Sequence, residues 1–126
     1  MVLEKIETSD APIPKGAYSQ GIVAGGFLFT AGVAPHDPTT REIVGDTIAA
    51  QTAQTMRNLE AVLGARGLSL SDVVKTTVHL ANLERDFASF DETYRSLMKD
   101  ARPARTTVGS TLAGFLVEID LIALVK

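Results

Sequence analysis

The sequence predicts an α+β protein in which two helices cover one face of a β-sheet, with the element order β-ββ-α-β-α-ββ. Three observations support this prediction. They are a helical stripe between Asp46 and Arg66, two adjacent glycines between short apolar runs, and a nearly continuous apolar run at 116–125. A chain of 126 residues is long enough for one domain with its own core. We therefore expect residues 1–126 to form a single domain.

The first part of the chain predicts three short strands. Residues 3–8 alternate loosely between apolar and polar side chains and are interpreted as the first strand. The runs 22–24 and 27–30 flank the pair Gly25-Gly26. Two glycines between apolar runs are typical of a tight hairpin turn. The second and third strands are therefore expected to pair as a hairpin.

The first helix has the clearest signal. Asp46 is interpreted as its N-cap, and Gly67 lies where a glycine commonly ends a helix. Apolar or small side chains recur at helical spacing and predict one buried stripe. The stripe consists of Ile48, Thr52, Met56, Leu59 and Leu63.

A β-branched run and a second helix follow. Residues 73–80 are typical of a strand. Asp86 is interpreted as the N-cap of the second helix, in which Phe87, Phe90, Tyr94 and Leu97 recur at helical spacing. Core packing is the simplest explanation of Phe87 and Phe90.

The last two predicted strands carry charged side chains in apolar surroundings. Arg105 follows Pro103 at the start of a β-branched run, and Glu118 and Asp120 share one face of the final strand. An ionised group in a buried strand needs a partner. The residues alone leave three interpretations open: an ion pair between the arginine and these carboxylates, carboxylates at an exposed strand edge, or a functional site.

The final strand is apolar on both faces, although two helices can cover only one face of a sheet. A bare apolar face of this size would be adhesive in water. We therefore expect the second face to pack against other copies of the chain. The apolar residues of the strand are Val117, Ile119, Leu121 and Ala123 on one face and Ile122 and Leu124 on the other.

Composition excludes several classes of function. The chain contains no cysteine, which excludes disulfides, thiol catalysis and cysteine-ligated zinc. The net charge is −3 and basic residues are scattered, so nucleic acid is not expected as a partner. His36 and His79 have no metal-ligand spacing, so no metal site is expected. No run approaches the roughly 20 apolar residues of a membrane span, and the N-terminus lacks a signal-peptide pattern, so we expect a cytoplasmic protein.

Several short segments occur in a fixed order along nearly the whole chain, and together they are more specific than any one of them alone. They are 11–21, 27–35, the helix positions Gln51, Thr55, Asn58 and Leu59, the strand 72–78, the helix 87–94, and the two terminal segments 103–105 and 117–119. In this order they resemble the RidA/YjgF family, the reactive-intermediate (enamine/imine) deaminases that are also labelled L-PSP; in the second segment the resemblance rests on 27–32 and Pro35.

The resemblance implies a chorismate-mutase-like fold of the bacillus type, with a mixed sheet and a homotrimer that has clefts between neighbouring subunits. It also implies an enzyme that hydrolyses enamine or imine intermediates, such as 2-aminoacrylate or 2-iminobutanoate, to 2-keto acids and ammonia. No metal or organic cofactor is expected, because an iminium carbon is already electrophilic. The expected partners are small imine or enamine carboxylates and further copies of the chain.

The resemblance also assigns roles to site residues. Arg105 is expected to bind the substrate carboxylate through two parallel hydrogen bonds, and Glu118 to position water and transfer a proton. Backbone groups near Gly32 and Thr107 are expected to orient the substrate. Tyr18 is expected either to act in the site, by closing the cleft or donating its phenol hydroxyl, or to be an ordinary packed or rim tyrosine.

This chain departs from the best-known members at several of these positions. Ala31 and Val33 replace a serine and a glutamine beside Gly32, which makes the pocket drier. Thr107 replaces a frequent cysteine, and Asp91 replaces an asparagine on the second helix. A carboxylate at position 91 is expected either to repel an anionic substrate or to pair with a cation.

Two other functions remain as alternatives at this stage. One is a non-enzymatic trimer that binds small carboxylates or keto acids in the same clefts. The other is an endoribonuclease or translation inhibitor, a description that is also applied to members of the family. The negative net charge and the absence of a paired histidine arrangement argue against RNA cleavage.

Overall fold

The computed structural model describes residues 3–126, and in this range the strands and helices follow one another in the predicted order. The strands are β1 (Glu4–Ile6), β2 (Gly21–Ala24), β3 (Phe27–Thr30), β4 (Val73–Leu80), β5 (Ala104–Gly109) and β6 (Val117–Leu124). The helices are α1 (Ile48–Gly64) and α2 (Leu83–Met98), and one 3-10 turn, Leu70–Asp72, leads into β4. No helix in the described range is long and apolar enough to cross a membrane.

The strands form one mixed sheet in the order β1-β2-β3-β6-β4-β5. Only β4 and β5 pair in parallel, and α2 makes the crossover between them that a parallel pair requires. The other neighbouring pairs are antiparallel. The prediction of an α+β fold with a mixed sheet is confirmed. The expectation that Arg105 lies on a buried strand is wrong, because β5 is an edge strand with only partial cover.

The predicted hairpin is confirmed by its turn. Gly25 and Gly26 have φ angles of 58° and 84°, and Ala24 pairs with Phe27 on either side of them. Two successive residues with positive φ form the turn whose twist matches that of the flanking strands. Glycine adopts such angles without steric cost.

Both predicted N-caps are displaced, that of α1 by one residue and that of α2 by four. The N-cap of α1 is Thr47, whose Oγ1 accepts a hydrogen bond from the backbone N–H of Ala50 at 3.1 Å, and not Asp46. In α2, Asp86 lies inside the first turn, because its backbone N–H already donates to the carbonyl of Asn82 at 2.9 Å. The carboxylate of Asp86 is buried and accepts hydrogen bonds from Arg85.

The core lies between the helices and one face of the sheet. Strand β6 buries every second side chain, as the period of two requires. The largest fully buried side chains are Phe90, Leu28, Met56, Leu59, Leu63, Leu80, Ile119, Leu121, Val62, Val78, Val117 and Asn58.

The opposite face of the sheet is uncovered in the single chain and carries an apolar patch on β3 and β6, beside the carboxylates of β6. Phe29 is 41% exposed and Leu124 is 51% exposed. Phe27 pairs with Leu124, and Phe29 pairs with Ile122. The rings of Phe27 and Phe29 have centroids 6.4 Å apart, so these side chains form one continuous patch on β3 and β6.

Asn58 on α1 fixes the loop that follows β3. Its Nδ2 donates to the carbonyl oxygens of Ala34 at 3.0 Å and His36 at 2.9 Å. Its Oδ1 accepts a hydrogen bond from Gln54 Nε2 at 3.0 Å. Because the asparagine is buried, these bonds have no competition from water and hold the loop at a defined height over the helix.

We expect Phe29→Lys to separate the copies of the chain, because it places a charge on the apolar patch. Light scattering should show a fall in mass towards that of one chain while circular dichroism stays unchanged. Ile43→Lys, at a similarly exposed apolar residue in the loop before α1, serves as the control. An unchanged mass for Phe29→Lys would contradict a contact on this face.

We expect Asn58→Leu to lower the free energy of unfolding by about 2–4 kcal/mol, because it leaves two buried carbonyl groups without a donor. Urea denaturation at a fixed protein concentration measures the effect. Glu60→Ala, at an exposed position of the same helix, should change stability by less than about 0.5 kcal/mol. Equal stabilities of the two variants would show that the carbonyl groups find other donors.

Candidate functional site

A cavity of about 220 Å³ lies where the loop before β2, the segment after β3 and the start of β6 meet. Tyr18, Gly32 and Glu118, three of the predicted site residues, line it together. The remaining lining residues are Ala11, Pro12, Gln20, Ala31, Val33, Ala34, His36, Val62 and Phe115. Most of these side chains are apolar, as expected from alanine and valine on either side of Gly32.

Glu118 is half-buried on the sheet face opposite to the helices. In the part of the chain that the structure describes, its carboxylate has no hydrogen-bond or ion-pair partner. A Cβ atom at position 32 would lie 2.8 Å from Glu118 Oε2, so Gly32 is the residue that lets this carboxylate pack against the backbone. Paired hydrogen bonds between the backbones of Val33 and Ile119, at 2.8 and 3.0 Å, hold the two segments at this distance.

Tyr18 stands at the mouth of this cavity, with 56% of its surface exposed. The position agrees with a residue that closes a cleft or forms its rim. Both expectations for Tyr18 therefore remain open.

A second concavity, an open groove of about 560 Å³, runs between α2 and the start of β5. Arg105 and Asp91 line it together with Tyr94, Arg95 and Arg102. Arg105 Nη1 donates to Asp91 Oδ1 at 2.8 Å, and Arg95 Nη2 donates to Asp91 Oδ2 at 3.0 Å. One carboxylate thus bridges two guanidinium groups, and of the two expectations for Asp91 the pairing with a cation is the one seen.

Three aromatic rings support the guanidinium of Arg105. Its central carbon lies 4.9 Å from the ring centroid of Tyr94 and 5.7 Å from those of Phe87 and Phe90. Such contacts orient a guanidinium and favour it electrostatically. The interpretation of Phe90 as a core residue is confirmed, whereas that of Phe87 is wrong, because it is 39% exposed beside the arginine.

Tyr94 ties this support to the sheet. Its hydroxyl lies 2.8 Å from Thr76 Oγ1, and both side chains are buried. Burial raises the pKa of the Tyr94 phenol, while the hydrogen bond with Thr76 and the charge of Arg105 act in the opposite direction. The phenol is therefore neutral at physiological pH and can act as a hydrogen-bond donor or acceptor to Thr76.

Arg105 and Glu118 lie on opposite faces of the sheet within one chain. Arg105 pairs with Thr76 of β4, and Glu118 pairs with His79 of the same strand. Thr76 and His79 are three residues apart, an odd number, so their side chains point to opposite faces. An ion pair between Arg105 and Glu118 is therefore excluded, and Arg105 pairs with Asp91 instead.

Asp120 and Thr107 are two further polar residues on the last two strands. Asp120 shares a face with Glu118, as predicted, and its Oδ2 lies 4.0 Å from His79 Nε2. Burial raises the pKa of Asp120, and the neighbouring His79 and Lys75 partly offset this effect. Thr107 lies two residues beyond Arg105 on the same strand face and lines neither of the two cavities.

The structure thus brings together Tyr18, Gly32 and Glu118 in one place and Arg105 and Asp91 in another. Gln20, His36 and Phe115 are among the residues of the first cavity that the sequence did not indicate. They lie in loops without periodicity, where no sequence pattern indicates which side chains turn inward. Among residues 3–126, no three His, Asp or Glu side chains are close enough together to hold a metal ion.

Comparisons with known proteins place these features in a family. A family model described as Endoribonuclease L-PSP matches residues 8–125. A RutC family protein of Pyrococcus horikoshii is 46% identical over 122 residues, which are 95% of this chain and 96% of that protein. The crystal structure of the Escherichia coli YjgF gene product has a TM-score of 0.90 at 35% identity, covering 98% of this chain and 99% of the other.

The structure of Escherichia coli TdcF with bound serine is similar to the same degree. Its TM-score is 0.90 at 34% identity, with coverage of 98% and 99% of the two chains. These matches extend over almost the whole described fold, including both cavities. The chain therefore belongs to the RidA/YjgF family, also known as L-PSP.

Proposed function

We propose that this protein hydrolyses 2-imino acids and their enamine tautomers to 2-keto acids and ammonium. One water molecule adds to the C=N bond of the protonated imine. The carbon–nitrogen bond then breaks, and the nitrogen leaves as ammonia, which takes up a proton to become ammonium. Family membership supports this reaction class. The observation that carries the proposal is the half-buried, unpartnered carboxylate of Glu118 in a mostly apolar cavity that also holds Gly32.

We further propose that each site is completed by two copies of the chain. The Glu118 cavity offers no cation for a substrate carboxylate among the residues that line it. The half-buried guanidinium of Arg105 has five N–H donors, and Asp91 engages one of its terminal nitrogens. The remaining donors suffice for two parallel hydrogen bonds to a carboxylate. A neighbouring copy packed on the uncovered sheet face would bring its edge strand β5, and with it Arg105, to this cavity.

In this arrangement Arg105 holds the substrate carboxylate and so places the imine carbon near Glu118. The carboxylate of Glu118 accepts a proton from the attacking water and returns it to the departing nitrogen. Gly32 leaves Glu118 exposed to the cavity, since any side chain there would contact the carboxylate. Tyr18 at the mouth limits access of bulk water. None of these steps needs a metal or organic cofactor, because the iminium carbon is itself electrophilic.

The bound serine in the structure of TdcF supports a substrate of this size class, because serine, like a 2-imino acid, carries a carboxylate and a nitrogen on the same carbon. A binding trimer without catalysis would use the same groups. It would be recognised by calorimetric binding of 2-ketobutyrate without any acceleration of imine hydrolysis.

The matched family description also names an endoribonuclease. The net charge of −3 does not favour a polyanion at the described cavities, so we place RNA cleavage behind deamination. RNA cleavage by the purified protein that is lost in Glu118→Gln would reverse this order.

We expect Arg105→Ala and Glu118→Gln each to lower imine hydrolysis at least about 100-fold, because each removes one half of the site. When the two variants are mixed in equal amounts and reassembled, about one quarter of wild-type activity should return, since one quarter of the head-to-tail contacts then combine an intact arginine with an intact glutamate. The assay follows imines formed in situ by an amino-acid oxidase, with semicarbazide as a competing trap.

The control for this mixture is Arg105→Ala reassembled with the double variant, which contains no chain with an intact Arg105 and should stay inactive. Absence of recovery in the first mixture, with normal mass by light scattering, would show that the two residues do not act in one shared site.

We expect Asp91→Asn to lower KM for imine carboxylates about threefold with little change in kcat, because it removes a negative charge beside Arg105 but keeps an oxygen that accepts its hydrogen bond. Glu92→Gln makes the same charge change at an exposed neighbour on α2 and should leave KM unchanged. A higher KM for Asp91→Asn would show that its charge is needed to position the guanidinium.

A further inference from the structure

His36 lines the cavity that contains Glu118, and the proposed reaction gives its side chain no task. It lies on the loop after β3 and is half-buried. Within residues 3–126 its ring forms no hydrogen bond. Its ring contacts Phe115 edge-on, with centroids 5.6 Å apart and planes at 76°.

The other polar side chains of the cavity are already committed or lie elsewhere. Gln20 is buried, and its amide nitrogen lies within hydrogen-bond distance of the carbonyls of Thr8, Ala11 and Pro12, while its oxygen accepts from the Thr8 N–H. Both ends of its amide are therefore engaged in holding the loop before β2. Tyr18 is at the mouth. Among the side chains of residues 3–126 that line the cavity, His36 is therefore the polar group left for a ligand besides the reacting carboxylate and the tyrosine at the mouth.

The position of His36 is fixed by the fold. Asn58 binds its carbonyl oxygen, and the backbone of His36 bridges to that of Ile43 on the other side of the loop. The edge-on contact with Phe115 limits rotation of the ring. A hydrogen-bonding group held in this way on an apolar wall selects ligands by complementarity, because an apolar group placed against it leaves it unpaired.

The imidazole is neutral near physiological pH. Burial lowers the pKa of His36, and the positive charge of Lys15 lowers it further. A neutral imidazole has one N–H donor and one nitrogen acceptor. It can therefore bind an uncharged hydroxyl or amide without requiring a counter-ion.

We propose that His36 is a specificity-determining residue that hydrogen-bonds the side chain of the substrate and favours 2-imino acids whose side chain ends in an uncharged polar group. The inference rests on the proposed function, in which Arg105 and Glu118 occupy the carboxylate and imine ends. The substituent on the 2-carbon then remains for the rest of the cavity, whose lining includes Ala31, Val33 and Phe115 beside His36.

The test compares two imines of nearly equal size, generated in situ from homoserine and from norvaline by a broad-specificity amino-acid oxidase. They differ only in a terminal hydroxyl in place of a methyl group. Wild-type protein should hydrolyse the homoserine-derived imine with a kcat/KM about tenfold higher. His36→Phe, which keeps an aromatic ring against Phe115, should bring the ratio to about one by loss on the homoserine-derived imine alone. His36→Gln should retain part of the preference.

Three outcomes separate the two proposals. If neither imine is hydrolysed faster than in the absence of protein, the proposed function fails. If both are hydrolysed faster but the wild-type ratio is about one or lower, the inference about His36 fails while the function stands. The same holds if His36→Phe leaves a tenfold ratio unchanged. Should His36→Phe fail to fold by circular dichroism, His36→Leu replaces it with the same expected ratio.

Discussion

The pairing of β6 with β3 on one side and β4 on the other is the constraint on which the rest of the structure depends. It fixes the alternation of the last strand. Val117 and Ile119 go to the core under the helices, while Glu118 and Asp120 go to the other face. A shift of the register by one residue would bury both carboxylates under the helices and expose the core residues. The same pairing that closes the core therefore determines where the candidate acid-base group lies.

As a consequence of this register, the groups of the proposed site lie in two separate places within one chain. Glu118 lies in a small cavity on the uncovered face, whereas Arg105 lies over the aromatic rings of α2 on the other face, at the sheet edge. Neither half contains the full set of groups that an anionic imine needs. The exposed patch around Phe29 supplies a reason for copies of the chain to associate. Assembly and catalysis are thus coupled in the proposed mechanism.

Buried polar groups of α1 connect the core to the loops around the first cavity. Asn58 holds the carbonyls of Ala34 and His36, and Gln51 Oε1 accepts a hydrogen bond from the backbone N–H of Leu116 just before β6. Amides inside a core are costly unless they are fully bonded. Here their bonds go to loop backbone, so the helix acts as a rigid support for side chains that line the cavity.

The sequence by itself determined the elements and their order, because helical and strand periodicities and turn glycines are local properties of the chain. It also indicated that Arg105 and Glu118 are charged residues in apolar strands, and that the two helices leave the second sheet face without cover. Only the tertiary structure decided that Arg105 pairs with Asp91 and that Phe87 lies beside it, since these contacts join residues that no local pattern relates. The orientation of the His36 side chain likewise depends on the hydrogen bonds that hold its loop and on the ring contact with Phe115. Only the folded chain creates these contacts.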